Sequence, residues 1–107
     1  MHLFEENIKN LGLNIPELPK ALANYVPYKI VGKTMYISGQ APVQNGELIY
    51  KGKVGSDITI EDGIEAARLC VTNIIAAVKT GLEGDWGKLD SFVKLTGFVN
   101  CHDDFTD

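Results

Sequence analysis

Between Thr59 and Gly81 the chain carries a pattern that leaves little choice of secondary structure. Ile60, Ile64, Ala67, Val71, Ile74 and Val78 recur at spacings of four and three, which lines them up along one face of an α-helix and would scatter them over both faces of a strand. Thr59 with Asp62 three residues on resembles a capping box. Glu61 and Asp62 fall at the positive end of the helix dipole and Lys79 near the negative end, and Gly81 suits the C′ position.

The segments around this helix read as smaller pieces. In residues 3–11, Phe4, Ile8 and Leu11 keep helical spacing and Gly12 follows as a stop. Residues 14–28 hold Pro16, Pro19 and Pro27, which favour an extended strap anchored by Ile15, Leu18, Leu22 and Val26. Two β-prone runs, 28–31 and 35–38, flank Gly32-Lys33-Thr34 as a hairpin, and Gly39 ends the second. Residues 41–56 contain Pro42, Asn45-Gly46, Gly52 and Gly55 and read as a loop with one short edge strand near Leu48-Ile49-Tyr50. After a glycine-rich connection (Gly81, Gly84, Gly87), Val93, Leu95 and Val99 alternate with Lys94 and Thr96, which predicts a half-buried strand over 91–100. The expected architecture is α+β, a β-hairpin packed on one long amphipathic helix.

A chain of 107 residues can bury one core and not two, so 1–107 reads as a single unit. Ten Lys and Arg against fourteen Asp and Glu leave a net charge of −4, which repels phosphate backbones and anionic lipid, and no basic patch offsets it. Nucleic acid is therefore a poor partner. No apolar run approaches the ~20 residues of a membrane span, and the start, Met1-His2-Leu3-Phe4-Glu5-Glu6, lacks the regions of a secretory signal. A cytoplasmic address is expected, and with it free, reduced thiols at Cys70 and Cys101.

Familiar motifs fail when tested. Val31-Gly32-Lys33-Thr34 resembles the end of a phosphate-binding loop, but Pro27 stands where that loop needs glycine, and a strand follows where it needs a helix. The glycines around Asp85-Trp86 do not keep dinucleotide-site spacing. Cys101-His102-Asp103-Asp104 has metal-ligand residue types, yet four consecutive side chains do not converge easily on one ion, and a solvated turn explains them better. A Cys-His nucleophilic pair lacks a histidine placed near either thiol by more than adjacency. Helix phasing turns Glu61 and Glu65 to solvent, and it leaves Arg68 flanking the apolar stripe as a snorkelling, structural arginine rather than a carboxylate grip. Tyr28 is either core or the wall of a pocket. Ser38-Gly39-Gln40 differs, because a glycine at a strand end lets a ligand approach the backbone, where exposed amides can hold an oxyanion or carboxylate.

Taken in order, Asn24-Tyr25-Val26-Pro27-Tyr28, Ile37-Ser38-Gly39-Gln40-Ala41-Pro42, Gly52-Lys53-Val54-Gly55, Ala66-Ala67-Arg68-Leu69-Cys70, Val93-Lys94-Leu95-Thr96-Gly97-Phe98-Val99-Asn100 and Asp104-Phe105 resemble the reactive-intermediate deaminase family. It is also called YjgF-like or RidA, and some members carry the label endoribonuclease L-PSP or translation inhibitor. The resemblance spans nearly the whole chain. It implies a chorismate-mutase-like α+β fold, a homotrimer with ligand clefts between subunits, and hydrolysis of reactive imines and enamines such as 2-aminoacrylate to 2-keto acids and ammonia, without a metal or organic cofactor. It also implies that Tyr28 supplies the aromatic wall of the pocket, and that Ser38 and Gly39, with Gln40 beside them, form its floor.

The family's carboxylate-binding arginine and pocket glutamate come after a second helix, on strands that would lie beyond Asp107, and Arg68 does not match that arginine's position. The chain thus resembles the N-terminal portion of a family member, with one sheet edge left unpaired. Three functions follow as expectations: an imine deaminase, a non-catalytic trimeric binder or regulator of small metabolites, and an RNA-cleaving or translation-inhibiting protein. Acidic charge and the lack of a well-placed histidine weigh against the third.

Overall fold

The computed structural model describes residues 3–16 and 26–106. Helix α1 (Leu3–Asn10) is followed by strands β1 (Tyr28–Val31) and β2 (Thr34–Ile37), the short strands β3 (Val43–Gln44) and β4 (Glu47–Leu48), helix α2 (Ile60–Gly81), and a 3-10 turn at Trp86–Lys88. Most of the expected strap over 14–28 lies outside the described residues. No helix among the described residues is long and apolar enough to cross a membrane.

Strands β1 and β2 pair antiparallel with Tyr28 opposite Ile37 and Val31 opposite Thr34. The turn is two residues, Gly32-Lys33, with Gly32 at φ +62°, which suits a II′ turn, so Thr34 belongs to the strand and not to the turn. Met35 and Ile37 are half-buried while Thr34 and Tyr36 are exposed, the alternation of a strand covered on one face. The expected loop over 41–56 contains a second small hairpin. Asn45 and Gly46 both take positive φ (53° and 81°), as a type I′ turn demands, and pair β3 with β4.

Helix α2 begins as its sequence predicts. The Asp62 N–H donates to Thr59 Oγ1 (3.1 Å), and Asp62 Oδ2 accepts from the Thr59 N–H (3.4 Å), closing the capping box. Thr59→Ala is expected to lower stability by about 1 kcal/mol in urea denaturation. The other end departs from expectation. Gly81 lies inside the helix, Leu82 is the cap, and the chain reverses through Glu83 (φ 55°) and Gly84 (φ 79°). The Gly84 N–H donates to Lys79 O and the Glu83 N–H to Thr80 O, a Schellman closure with Glu83 at C′. Gly81 answers to packing instead: a Cβ there would stand 2.6 Å from Met35 Cε and 3.4 Å from Tyr28 Cδ2.

Ile75, Val78, Leu82 and Trp86 form the buried centre, and Phe4, Ile8, Leu13, Met35, Ile37, Val71 and Ile74 pack around it. The Trp86 ring lies 4.8 Å from that of Phe4. The predicted stripe is covered only over its last turns. Ile60, Ile64 and Ala67 are exposed, because α1 and the first hairpin reach only the C-terminal half of α2. A second face of α2, Thr72, Asn73, Ala76 and Ala77, is buried as well, and contacts between α2 and β3 place the loop there.

The strand expected over 91–100 is not formed. All ten residues are exposed, Val93 at 88% and Phe98 at 94%. Alternation makes a segment competent to be a strand, but a strand exists only when its N–H and C=O groups find a ladder partner. Among the described residues the partnering begins only at its end. The Val54 N–H donates to Asn100 O (2.9 Å) and the His102 N–H to Val54 O (3.2 Å), a parallel bridge between Val54 and Cys101.

Candidate functional site

The antiparallel register brings the four residues singled out from sequence to one end of the first hairpin. Tyr28 stands opposite Ile37, and the next residue, Ser38, donates its N–H to Pro27 O (3.0 Å) and its hydroxyl to Val26 O. Gln40 folds back, its Nε2 donating to Ser38 O (3.2 Å). Between them Gly39 is exposed, and a Cβ built on it meets nothing within 4 Å. Residues 38–40 form neither a turn nor a bend, and the segment presents backbone to open space while its flanks are held. Tyr28 is half-buried, with its ring edge against Gly81 at the end of α2, so the same aromatic joins hairpin to helix.

Other candidates fall elsewhere. Arg68 is exposed on α2. Cys70 is half-buried on the same helix, and burial pushes its thiol up from the ordinary range, away from nucleophile chemistry at neutral pH. His102 is spoken for locally: its Nδ1 accepts from the Asp104 N–H (3.2 Å), its ring stands edge-on to Phe105 at 6.4 Å, and it lies against Gly55. An open cleft of about 310 Å³ between α1 and the end of α2, floored by Ile8, Leu13 and Trp86 and edged by Lys9 and Lys79, shares no residue with that segment.

Two structurally decisive residues carry little sign of it in the sequence. Trp86 falls in a glycine-rich connection, yet its side chain is core, 5% exposed. Asn73 stands just before Ile74-Ile75-Ala76-Ala77 in α2, is 1% exposed, and donates Nδ2 to both Ala41 O (3.1 Å) and Val43 O (2.9 Å). A polar residue beside the apolar stripe was its only signal.

A hairpin and a long capped helix sharing a core, with an exposed glycine in the segment leaving the open hairpin end, define a chorismate-mutase-like α+β protein. The chain belongs to the family described as "YjgF/chorismate mutase-like, putative endoribonuclease", whose pattern matches residues 5–107. It is 32% identical over 101 residues to "Protein TCP17" of Trypanosoma cruzi, covering 94% of this chain and 62% of that protein. The protein Atu1372 of Agrobacterium tumefaciens, a crystal structure of unknown function, superposes with a TM-score of 0.84 at 40% identity, over 95% of this chain and 62% of that one. A crystal structure from Shewanella oneidensis, described as a putative endoribonuclease, gives 0.68 at 42% identity, over 74% and 52%. The chain thus spans less than two thirds of the length of these relatives.

Proposed function

We propose that the chain contributes part of a small-molecule pocket in which reactive enamines and imines of the 2-aminoacrylate type are hydrolysed to 2-keto acids and ammonia. The observation that carries this reading is the exposed Gly39 backbone in a segment anchored on both flanks, in a chain of the YjgF family. Backbone amides in such a segment can meet a carboxylate, and the Tyr28 ring can wall the apolar side. The enamine takes a proton at carbon and gives one up from nitrogen to water, becoming the imine. Water then adds to the imine carbon, and the resulting aminoalcohol loses ammonia to leave the carbonyl. The substrate is already labile, so placement and electrostatics suffice. In the same reading the site lies between subunits of a homotrimer, which would also cover the exposed apolar residues of the hairpin and of 91–100.

A second reading, a non-catalytic metabolite binder, draws on Arg68, the only arginine of the 107 residues, which is exposed on α2 and not at residues 38–40. RNA cleavage, the activity in one relative's name, finds less support in a net charge of −4 and in a His102 engaged by its neighbours.

The test adds the intact native protein to a system that releases 2-aminoacrylate and follows pyruvate and ammonia. Acceleration over buffer is expected. Gly39→Leu, where a Cβ meets nothing within 4 Å and no positive φ is strained, is expected to cut it roughly ten-fold or more with an unchanged melting temperature. Pyruvate binding without acceleration favours the binder, and a Gly39→Leu chain as active as the parent removes the segment from the site.

A further inference from the structure

We infer that Asn73 is the positioning residue of the segment 38–40 that leaves β2, an inference that rests on the proposed small-molecule site. Asparagine is a poor resident of a helix interior, and its amide is costly to bury unless bonded. Its place in α2 is explained by what it holds: Nδ2 donates to Ala41 O and to Val43 O, 32 and 30 residues away in sequence. These two carbonyls flank Pro42, which has no N–H of its own. The Val43 N–H closes back on Ala41 O (2.7 Å), and Pro42 O accepts from the Ile49 N–H (3.0 Å). Ala76 and Ala77, buried at 2% and 0%, line the same side of α2 and let the loop lie close to the helix.

The segment is therefore hung between two anchors. On one side Ser38 is tied to Val26 and Pro27 at the start of the hairpin. On the other, Ala41 is tied through Asn73 to the long helix α2. Gly39 has open space around its backbone, so the separation of these anchors sets where the amides of Gly39 and Gln40 point. Asn73 does not touch the ligand space itself. Its effect is on affinity through the segment, not on the chemical step.

The test uses Asn73→Ala, with Asn73→Leu as a variant that keeps a branched side chain but no donor and decides the matter should the alanine variant not fold. Val78→Ala, a core cavity away from the loop, controls for general loss of stability. Two readouts are taken on each chain: 15N order parameters along the backbone, and titration with pyruvate. In a folded Asn73 variant the order parameters of Gly39, Gln40 and Ala41 are expected to fall from about 0.85 to below about 0.6, those of Tyr36 and Ile37 to hold, and pyruvate affinity to drop roughly ten-fold or more. Val78→Ala should alter neither. Unchanged order at 39–41, or an equal loss of affinity in Val78→Ala, overturns the inference. A parent chain that does not bind pyruvate overturns the pocket reading instead, and the order parameters still decide whether Asn73 holds the segment.

Discussion

Trp86→Ala is expected to remove about 3–5 kcal/mol of stability, the larger part of what a chain with so small a core can hold against a typical total of about 5–15 kcal/mol. The indole is only 5% exposed and sits with Ile75, Val78 and Leu82. Its ring meets Phe4 at 4.8 Å with the planes tilted by 47°, so its removal also frees the face of α1 that it anchors. Nothing nearby can collapse into the gap cheaply, because the neighbours come from a helix end, a 3-10 turn and a separate helix. With a urea slope of about 1–3 kcal/mol/M, the midpoint should fall by roughly 2 M, followed by circular dichroism, since the substitution removes the chain's one tryptophan. A shift below about 0.5 M would mean that the 3-10 turn is not part of the core.

Gly55→Ala is the second large effect, and it combines two independent penalties. Gly55 has φ +93°, a conformation that costs an L-residue about 1–3 kcal/mol. A Cβ there would also stand 2.3 Å from His102 Cδ2 and 2.8 Å from Nε2, so the imidazole must leave. With it goes the hydrogen bond that His102 Nδ1 accepts from the Asp104 N–H (3.2 Å), worth about 1 kcal/mol. The expected total is about 2–4 kcal/mol. The steric part disappears when His102 is alanine, while the backbone part stays. Gly55→Ala should therefore cost less in a His102→Ala background by about 1 kcal/mol or more in a double-mutant cycle. Additivity within about 0.5 kcal/mol would show that the ring does not press on Gly55. Gly46 makes the contrast: it too has positive φ, but a Cβ there meets nothing within 4 Å, so only the backbone penalty applies.

The candidate segment was legible because its signals are local. The glycine and the serine hydroxyl can be read from neighbours in sequence, whereas the register that sets Tyr28 opposite Ile37 came from a two-residue turn where the sequence suggested three, because Thr34 pairs with Val31. Asn73 was not legible, because a buried amide is recognised by partners some thirty residues away.

By itself, the sequence determined the start of α2, the pairing of β1 with β2 and the family pattern, since caps, turns and periodicity act over a few residues. Only the tertiary structure decided how far the α2 stripe is covered, and it alone showed that Gly81 serves Met35 and Tyr28 rather than the helix end. The same holds for residues 91–100, which keep a strand's alternation while only Asn100 reaches a ladder partner among the described residues. Burial and ladder pairing are properties of two segments at once, and one segment's residues specify only its half.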